Sequence, residues 1–315
     1  MTDSASLVQR VLGRVVGRAR EVELVVAALA AGRHVLLEGP PGTGKSTLLR
    51  AVAHELGLGF EFVEGNAELT PARLVGHFDP ARVLIDGYDP EVFEDGPLII
   101  AMRVGSLLYV EEINRIPEET LNVLITVMSE RELHVPRLGR VAAHPGFRLV
   151  AAMNPFDAIG TARISSAVYD RVCRLSVDYQ DAPDEVAIVV AALPEVASDP
   201  AWLERVVDVV RLSRSHPDVR IGSSVRGAID TAAVACTLGE LRGLPGHHRL
   251  VGLDAALVAL SGRLRLREGC NRTADDIVRE LWAQVFTEPD DEGHTGGAEG
   301  GAGKAGAPTG ATTAR

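Results

Sequence analysis

The 315-residue chain has only three cysteines, Cys173, Cys236 and Cys270, far apart and without paired spacing. They offer neither a disulfide framework nor a cysteine-held zinc site. The nine histidines are scattered, with His247-His248 the one adjacent pair, and read as surface or packing residues. No apolar run reaches the ~18 residues that span a bilayer, so no membrane span is expected. Met1 to Ala5 lack the basic-then-apolar layout of a signal peptide, which makes the cytoplasm the expected location. Net positive charge is also missing. A balance of −11 argues against coating duplex DNA, because such binding rests on phosphate neutralisation. No internal repeat is visible. What remains, 46% apolar and 24% charged residues, reads as a globular chain long enough for two domains.

The chain is organised around Gly39-Pro40-Pro41-Gly42-Thr43-Gly44-Lys45-Ser46, with Thr47 following. An apolar run, Val35-Leu36-Leu37, precedes it and a helical pattern, Thr47 to Leu56, follows. Strand, glycine loop and helix in that order are the context of a phosphate-binding loop. Glycines let the backbone wrap so that successive amides face phosphate oxygens, and the helix N-terminus adds partial positive charge. Lys45 is expected to reach the β- and γ-phosphates of ATP, and the Ser46 hydroxyl to ligate Mg²⁺.

Residues 1–12 read as a short leader. A helix is expected over Arg20 to Ala30, on the spacing of Val22, Val25, Val26 and Leu29, and a strand over His34 to Leu37. Phe60 to Val63 reads as a second strand. Thr70-Pro71 reads as an N-cap with proline at the first helical position. His77 to Phe93, with Asp79-Pro80, Asp89-Pro90 and Gly87, reads as an inserted hairpin or loop. Gly96-Pro97 restarts a helix. Ser106 to Val110 is a compact apolar strand that delivers Glu111-Glu112 at its end. An amphipathic helix over Glu118 to Ser129 precedes a hairpin over Leu133 to Ala142 with Arg137 and Arg140 near its tip. Phe147 to Ala152 is a strand ending in Asn154-Pro155, Ile164 to Asp170 a short helix or turn, and Val172 to Val177 a last strand. After Asp181-Ala182-Pro183 only helices are expected, the last opened by a Thr273/Asp276 capping box. Residues 288–315 are too poor in apolar residues to order themselves and read as a disordered tail. The fold expected is α/β: a P-loop core with a parallel sheet at 13–182, including an insert near 77–95, then a small all-helical lid at 183–287.

The phosphate loop, Glu111-Glu112, Asn154 and Arg171 all fall at strand ends, where a parallel sheet gathers its ligand groups. Glu111 can hold Mg²⁺ through bound water, and Glu112 is placed to polarise the attacking water. Asn154 can link that water to the γ-phosphate; the plainer alternative is a turn residue before Pro155. Arg171 can meet developing charge or form a surface ion pair. Arg226, in the first turn after Ser223-Ser224, opposes the helix dipole, which hints at an anion there; the alternative is an exposed arginine.

On these residues the chain resembles the AAA+ ATPases, and most closely the MoxR-like group. The resemblance rests on Glu38 through Ser46, Gly96-Pro97-Leu98, Glu111-Glu112-Ile113-Asn114-Arg115, Ala152-Met153-Asn154-Pro155, Asp170-Arg171 and Ser223-Ser224-Val225-Arg226. It implies that Asn154 is sensor 1, Arg226 sensor 2, and Arg171 an arginine finger acting on the neighbouring subunit. It also implies a homo-oligomeric ring, usually a hexamer, and a protein client, often with a von Willebrand factor A domain partner. One departure stands out: Glu111 occupies a position where the family has Asp. Its extra methylene moves the carboxylate by more than about 1 Å, and a magnesium shell tolerates little distortion.

The leading expectation is therefore an ATP-driven remodelling motor. An ATP-gated adaptor with little hydrolysis is the second reading, and a nucleic-acid motor gripping backbone through Arg137 and Arg140 the third, disfavoured by the acidic balance.

Overall fold

A computed structural model of the chain describes residues 4–155, 165–194 and 199–286. The expected tail at 288–315 lies outside them, as do residues 1–3. Five parallel strands form the central sheet: β1 (His34–Glu38), β2 (Phe60–Glu64), β5 (Leu107–Glu111), β8 (Arg148–Met153) and β9 (Val172–Ser176). Their order is β2-β5-β8-β1-β9, so β5, β8 and β1 are neighbours. Register sets Val110 beside Ala151 and Glu38 beside Met153. The phosphate loop, the acid pair and Asn154 therefore emerge side by side at one edge of the sheet.

Strand side chains alternate between faces, and the two faces build separate hydrophobic clusters. Leu36, Leu108, Val110, Leu149 and Ala151 face α4 (Pro71–Val75), α6 (Pro97–Val104) and α7 (Glu118–Glu130). Val35, Leu37, Leu107, Tyr109, Val150 and Ala152 face α1 (Ser4–Leu12), α2 (Ala19–Ala30) and α3 (Lys45–Leu56). The segment read as a leader is thus a packed helix: Leu7 and Val11, one turn apart, are buried, and Arg10 pairs with Glu55 at 3.0 Å.

The insert is more ordered than a loop. Strands β3 (Gly76–Phe78) and β4 (Phe93–Asp95) pair antiparallel and carry helix α5 (Pro80–Asp86) between them. Asp79 caps α5 by accepting from the amides of Ala81 and Arg82, and Pro80 takes the first helical position. The Asp79-Pro80 pair, read as part of a hairpin or loop, is a helix start. Thr70 caps α4 as its sequence suggested, accepting from Arg73 N. The hairpin of β6 (Glu132–Val135) and β7 (Gly139–Ala142) is also present. A four-residue helix, α8 (Ser166–Tyr169), leads into β9.

Beyond the sheet, α9 (Ala182–Ala192), α10 (Pro200–Ser213), α11 (Val225–Arg242), α12 (Arg249–Leu260) and α13 (Ala274–Val285) enclose a third cluster around Trp202, Val210, Leu281 and Trp282. The Thr273/Asp276 capping box opens α13. One correction applies to the helix-only expectation: β10 (Val219–Ile221) and β11 (Arg265–Leu266) form a short antiparallel ribbon. Two- and three-residue strands are too short to leave an alternating pattern in the sequence.

Candidate active site

The loop between β1 and α3 wraps through Gly42 at φ 73° and Gly44 at φ 80°, a left-handed backbone that glycine adopts without strain. Lys45 is buried and donates to the carbonyls of Gly39 (3.0 Å) and Pro40 (2.8 Å). Burial pulls its pKa down to about 8, against the opposing pull of Glu111 and Glu112. Ser46 Oγ lies 3.2 Å from Glu111 Oε1 and 3.2 Å from the Tyr109 hydroxyl. Burial raises the Tyr109 pKa, so the hydroxyl stays protonated. Tyr109 was missed in the sequence because it reads there as one more strand residue.

Glu112 has a positive φ of 54°, unusual for a side chain of its size, and pairs with Arg115 at 3.0 Å. The fit is close: a methyl group on Gly65 would lie 2.4 Å from the Glu112 carbonyl oxygen. Asn154 is buried at the end of β8, and Asn114 Nδ2 approaches its carbonyl at 3.5 Å.

Pro41, Gly42, Thr43, Gly44, Lys45, Ser46, Thr47, Glu111, Glu112, Asn154 and Arg226 line one cavity of about 240 Å³. Gly39 and Pro40 lie beneath it and anchor Lys45. Glu64, not singled out in the sequence, also lines it. Arg226 arrives from α11, whose first turn crosses the loop. Ser224 occupies the N-cap position there without making a side-chain cap. Ser223 does not cap the helix either; its Oγ donates to the Ser224 carbonyl.

Arg171 does not join this cavity. Its Nε donates to Ser129 Oγ and one Nη to the Ala167 carbonyl at 2.7 Å.

A second cavity of about 340 Å³ adjoins the first across Gly42, Thr43, Gly44 and Thr47. Val15, Val16, Ile188 and Ile229 give it apolar walls, and Arg18 fastens it by donating to Thr43 O at 3.0 Å. An amide-lined anion cradle beside an apolar slot has the two-part chemistry of a nucleotide: phosphates at one end, a flat base at the other. The donor set also fits a hard divalent cation, since a hydroxyl and a carboxylate face each other beside the cradle. The slot draws on residues from both ends of the chain, so no local motif announces it.

The AAA domain family, dynein-related subfamily, matches residues 34–172. The gas vesicle ATPase GvpN of Ancylobacter aquaticus is 32% identical over 230 residues, 67% of this chain and 63% of that protein. GvpN of Haloferax mediterranei is 31% identical over 265 residues, 79% of this chain and 74% of that protein. The chain thus spans less than two thirds of the first relative. Among solved structures, a point mutant of Thermotoga maritima RuvB superposes with a TM-score of 0.55 over 79% of this chain and 72% of that one; at 18% identity this is a likeness of fold alone. The motif-bearing sheet and the extent of these matches lead to one conclusion: the chain belongs to the AAA+ ATPase family.

Proposed function

We propose that the chain is an ATP-binding and ATP-hydrolysing motor of the MoxR-like type, acting in the cytoplasm as a ring of copies on a protein client. The observation that carries this is the single cavity in which Lys45, Ser46, Glu111, Glu112, Asn154 and Arg226 meet over the phosphate loop. Residues 13–182 form the catalytic core and 183–287 the lid. Lys45 and the loop amides hold the phosphates. Ser46 and Glu111 would hold Mg²⁺, which supplies charge neutralisation to the β- and γ-phosphates when bound. The 3.2 Å approach of Glu111 to Ser46 supports the longer acid in this role. Glu112 orients and deprotonates water, Asn154 bridges it to the γ-phosphate, and Arg226 reports the nucleotide to the lid. Arg171 acts on the neighbouring copy; its station at Ser129, outside its own cavity, supports that. A hexamer and a von Willebrand factor A domain partner follow from the MoxR-like resemblance.

The test is phosphate release as a function of protein concentration, which rises as rings form. Arg171→Ala abolishes turnover, and mixing it with a Lys45→Ala chain restores part of it; no recovery in the mixture counts against a finger acting across an interface. The ATP-gated adaptor remains the second reading, favoured by Glu111. Glu111→Asp lowers turnover in the motor and raises it in the adaptor. A role in gas vesicle formation is a reading of the cellular setting, supported by likeness to two gas vesicle ATPases. Vesicle loss on deleting this chain from a vesicle-forming host is its test.

A further inference from the structure

Glu185 stands in the first turn of α9 and is 2% exposed, a buried carboxylate outside both cavities of the candidate site. Two arginines at the C-terminal end of α10 close on it. Arg214 Nη2 pairs with Glu185 Oε1 at 2.8 Å, and Arg211 Nη1 with Oε2 at 3.3 Å. A buried ion cluster is a poor source of stability, because desolvation offsets most of the attraction; apolar residues of the same volume would serve as well. What such a cluster does supply is geometry, since a guanidinium gripped by a carboxylate has its remaining donors aimed.

Those donors reach two places. Arg214 Nε donates to the Ser223 carbonyl at 2.8 Å. Ser213 Oγ accepts from the Ser223 amide at 3.0 Å, so this buried residue is held from both sides. The approach is tight: a methyl group on Gly222 would lie 2.7 Å from the Arg214 backbone nitrogen. Arg226 follows three residues after Ser223, in the first turn of α11. That helix starts without a side-chain cap, so its first turn takes its anchor from the clamped Ser223. Arg211 Nη1 donates to the Gln180 carbonyl at 2.9 Å. The Gln180 side chain donates in turn to the Val16 carbonyl at 2.7 Å, in the wall of the apolar slot. Arg214 Cζ also lies 3.9 Å from the centre of the Tyr179 ring, a cation–π contact. Tyr179 and Gln180 belong to the connection between β9 and α9, where the sheet gives way to helices.

We propose that Glu185 is a positioning residue for Arg226: through Arg214 it fixes the Ser223 backbone, and so the place of Arg226 over the phosphate loop. Through Arg211 the same carboxylate refers that place to the slot wall at Val16. This rests on the reading of Arg226 as the residue that reports the nucleotide. Arg214→Lys keeps the charge but not the fork: one ammonium reaches Glu185 or the Ser223 carbonyl and does not span both as a planar guanidinium does.

The test is competition of ATP and of ADP against a fluorescent ATP analogue with magnesium, alongside phosphate release and urea unfolding of the full chain. Arg214→Lys and Glu185→Gln are each expected to lower turnover and the preference for ATP over ADP by roughly tenfold, with ADP affinity kept within about threefold. Neither lowers the preference further in an Arg226→Ala chain, which has already lost it. A role in stability alone would weaken the protein to urea and leave the preference where it was. Ser213→Ala loosens the same residue from its amide side and leaves the ion cluster whole. It is expected to lower the preference by about threefold, a readout that stands even where a charge variant fails to fold. A preference unmoved by these variants, or an equal drop in the Arg226→Ala background, overturns the inference. So does an Arg226→Ala chain that prefers ATP as strongly as the original. The motor is separable from this. Original protein that discriminates ATP from ADP, loses the discrimination in the variants and releases no phosphate refutes hydrolysis while upholding the positioning role.

Discussion

Gly42 and Ser224 stand so close that a methyl group on the glycine would lie 2.2 Å from the serine hydroxyl oxygen. The first turn of α11 therefore rests directly on the phosphate loop, and any rotation of that helix must be felt where the phosphates bind. Gly42→Ala is expected to displace α11 and weaken ATP binding by roughly tenfold, on top of about 1 kcal/mol of left-handed backbone strain. Gly44→Ala carries the same strain with open space around it, so the free protein loses only the strain. Titration with a fluorescent ATP analogue and thermal unfolding separate the two. Equal losses of stability would refute the contact.

Glu112, the carboxylate proposed to activate water, sits on a strained backbone, φ 54°. Glu112→Gln is expected to lower turnover by about 10²-fold or more while ATP binding persists. Glu112→Asn is equally inactive but at least as stable as the original, since asparagine tolerates the left-handed region better. Phosphate release and denaturant unfolding on both variants check this. A large drop in the stability of Glu112→Asn would argue against strain at this position.

Glu38 is a buried carboxylate immediately before the phosphate loop. The Tyr169 hydroxyl donates to it at 2.8 Å, and Arg174 pairs with its other oxygen. Burial, followed by the contact with Glu38, pushes the Tyr169 pKa up to about 12. The bond ties α8, two residues before Arg171, to the root of the loop. Tyr169→Phe removes one partner from a buried charge and is expected to cost about 1–3 kcal/mol in urea unfolding. Under the proposed role of Arg171, turnover should fall further than nucleotide affinity, because Arg171 is loosened and the cradle is not.

His34 is buried and accepts from Leu149 N through Nδ1 at 2.9 Å. Burial, then Arg131 and Arg148, lowers its pKa from 6.5 to about 4. Folding therefore favours the neutral ring. Its contribution is fully present above pH 6.5 and is lost as pH falls from there toward 4, where the unfolded chain binds the extra proton. The loss is on the order of 3 kcal/mol. Urea melts between pH 7 and 4 should show it, and His34→Gln should flatten that slope. An unchanged slope would place the acid sensitivity elsewhere.

The amino-acid sequence determined by itself the parts whose chemistry is local. The phosphate loop, the acid pair after an apolar strand, the Thr70 cap and the Thr273/Asp276 box are spacings within one turn or one strand end, and each occurs where its pattern places it. The run of strands and helices was legible for the same reason, since periods of two and of 3.6 survive in a single segment. Tertiary packing decided the rest. It buried Leu7 and Val11 in a segment too short to announce itself, and paired β10 with β11 across α11 and α12. It built the apolar slot from Val16, Ile188 and Ile229, and held Arg171 away from the cavity while bringing Arg226 into it. Contacts between residues so far apart along the chain leave no periodic trace in the sequence, because they are fixed by which buried faces meet and not by any neighbour's spacing.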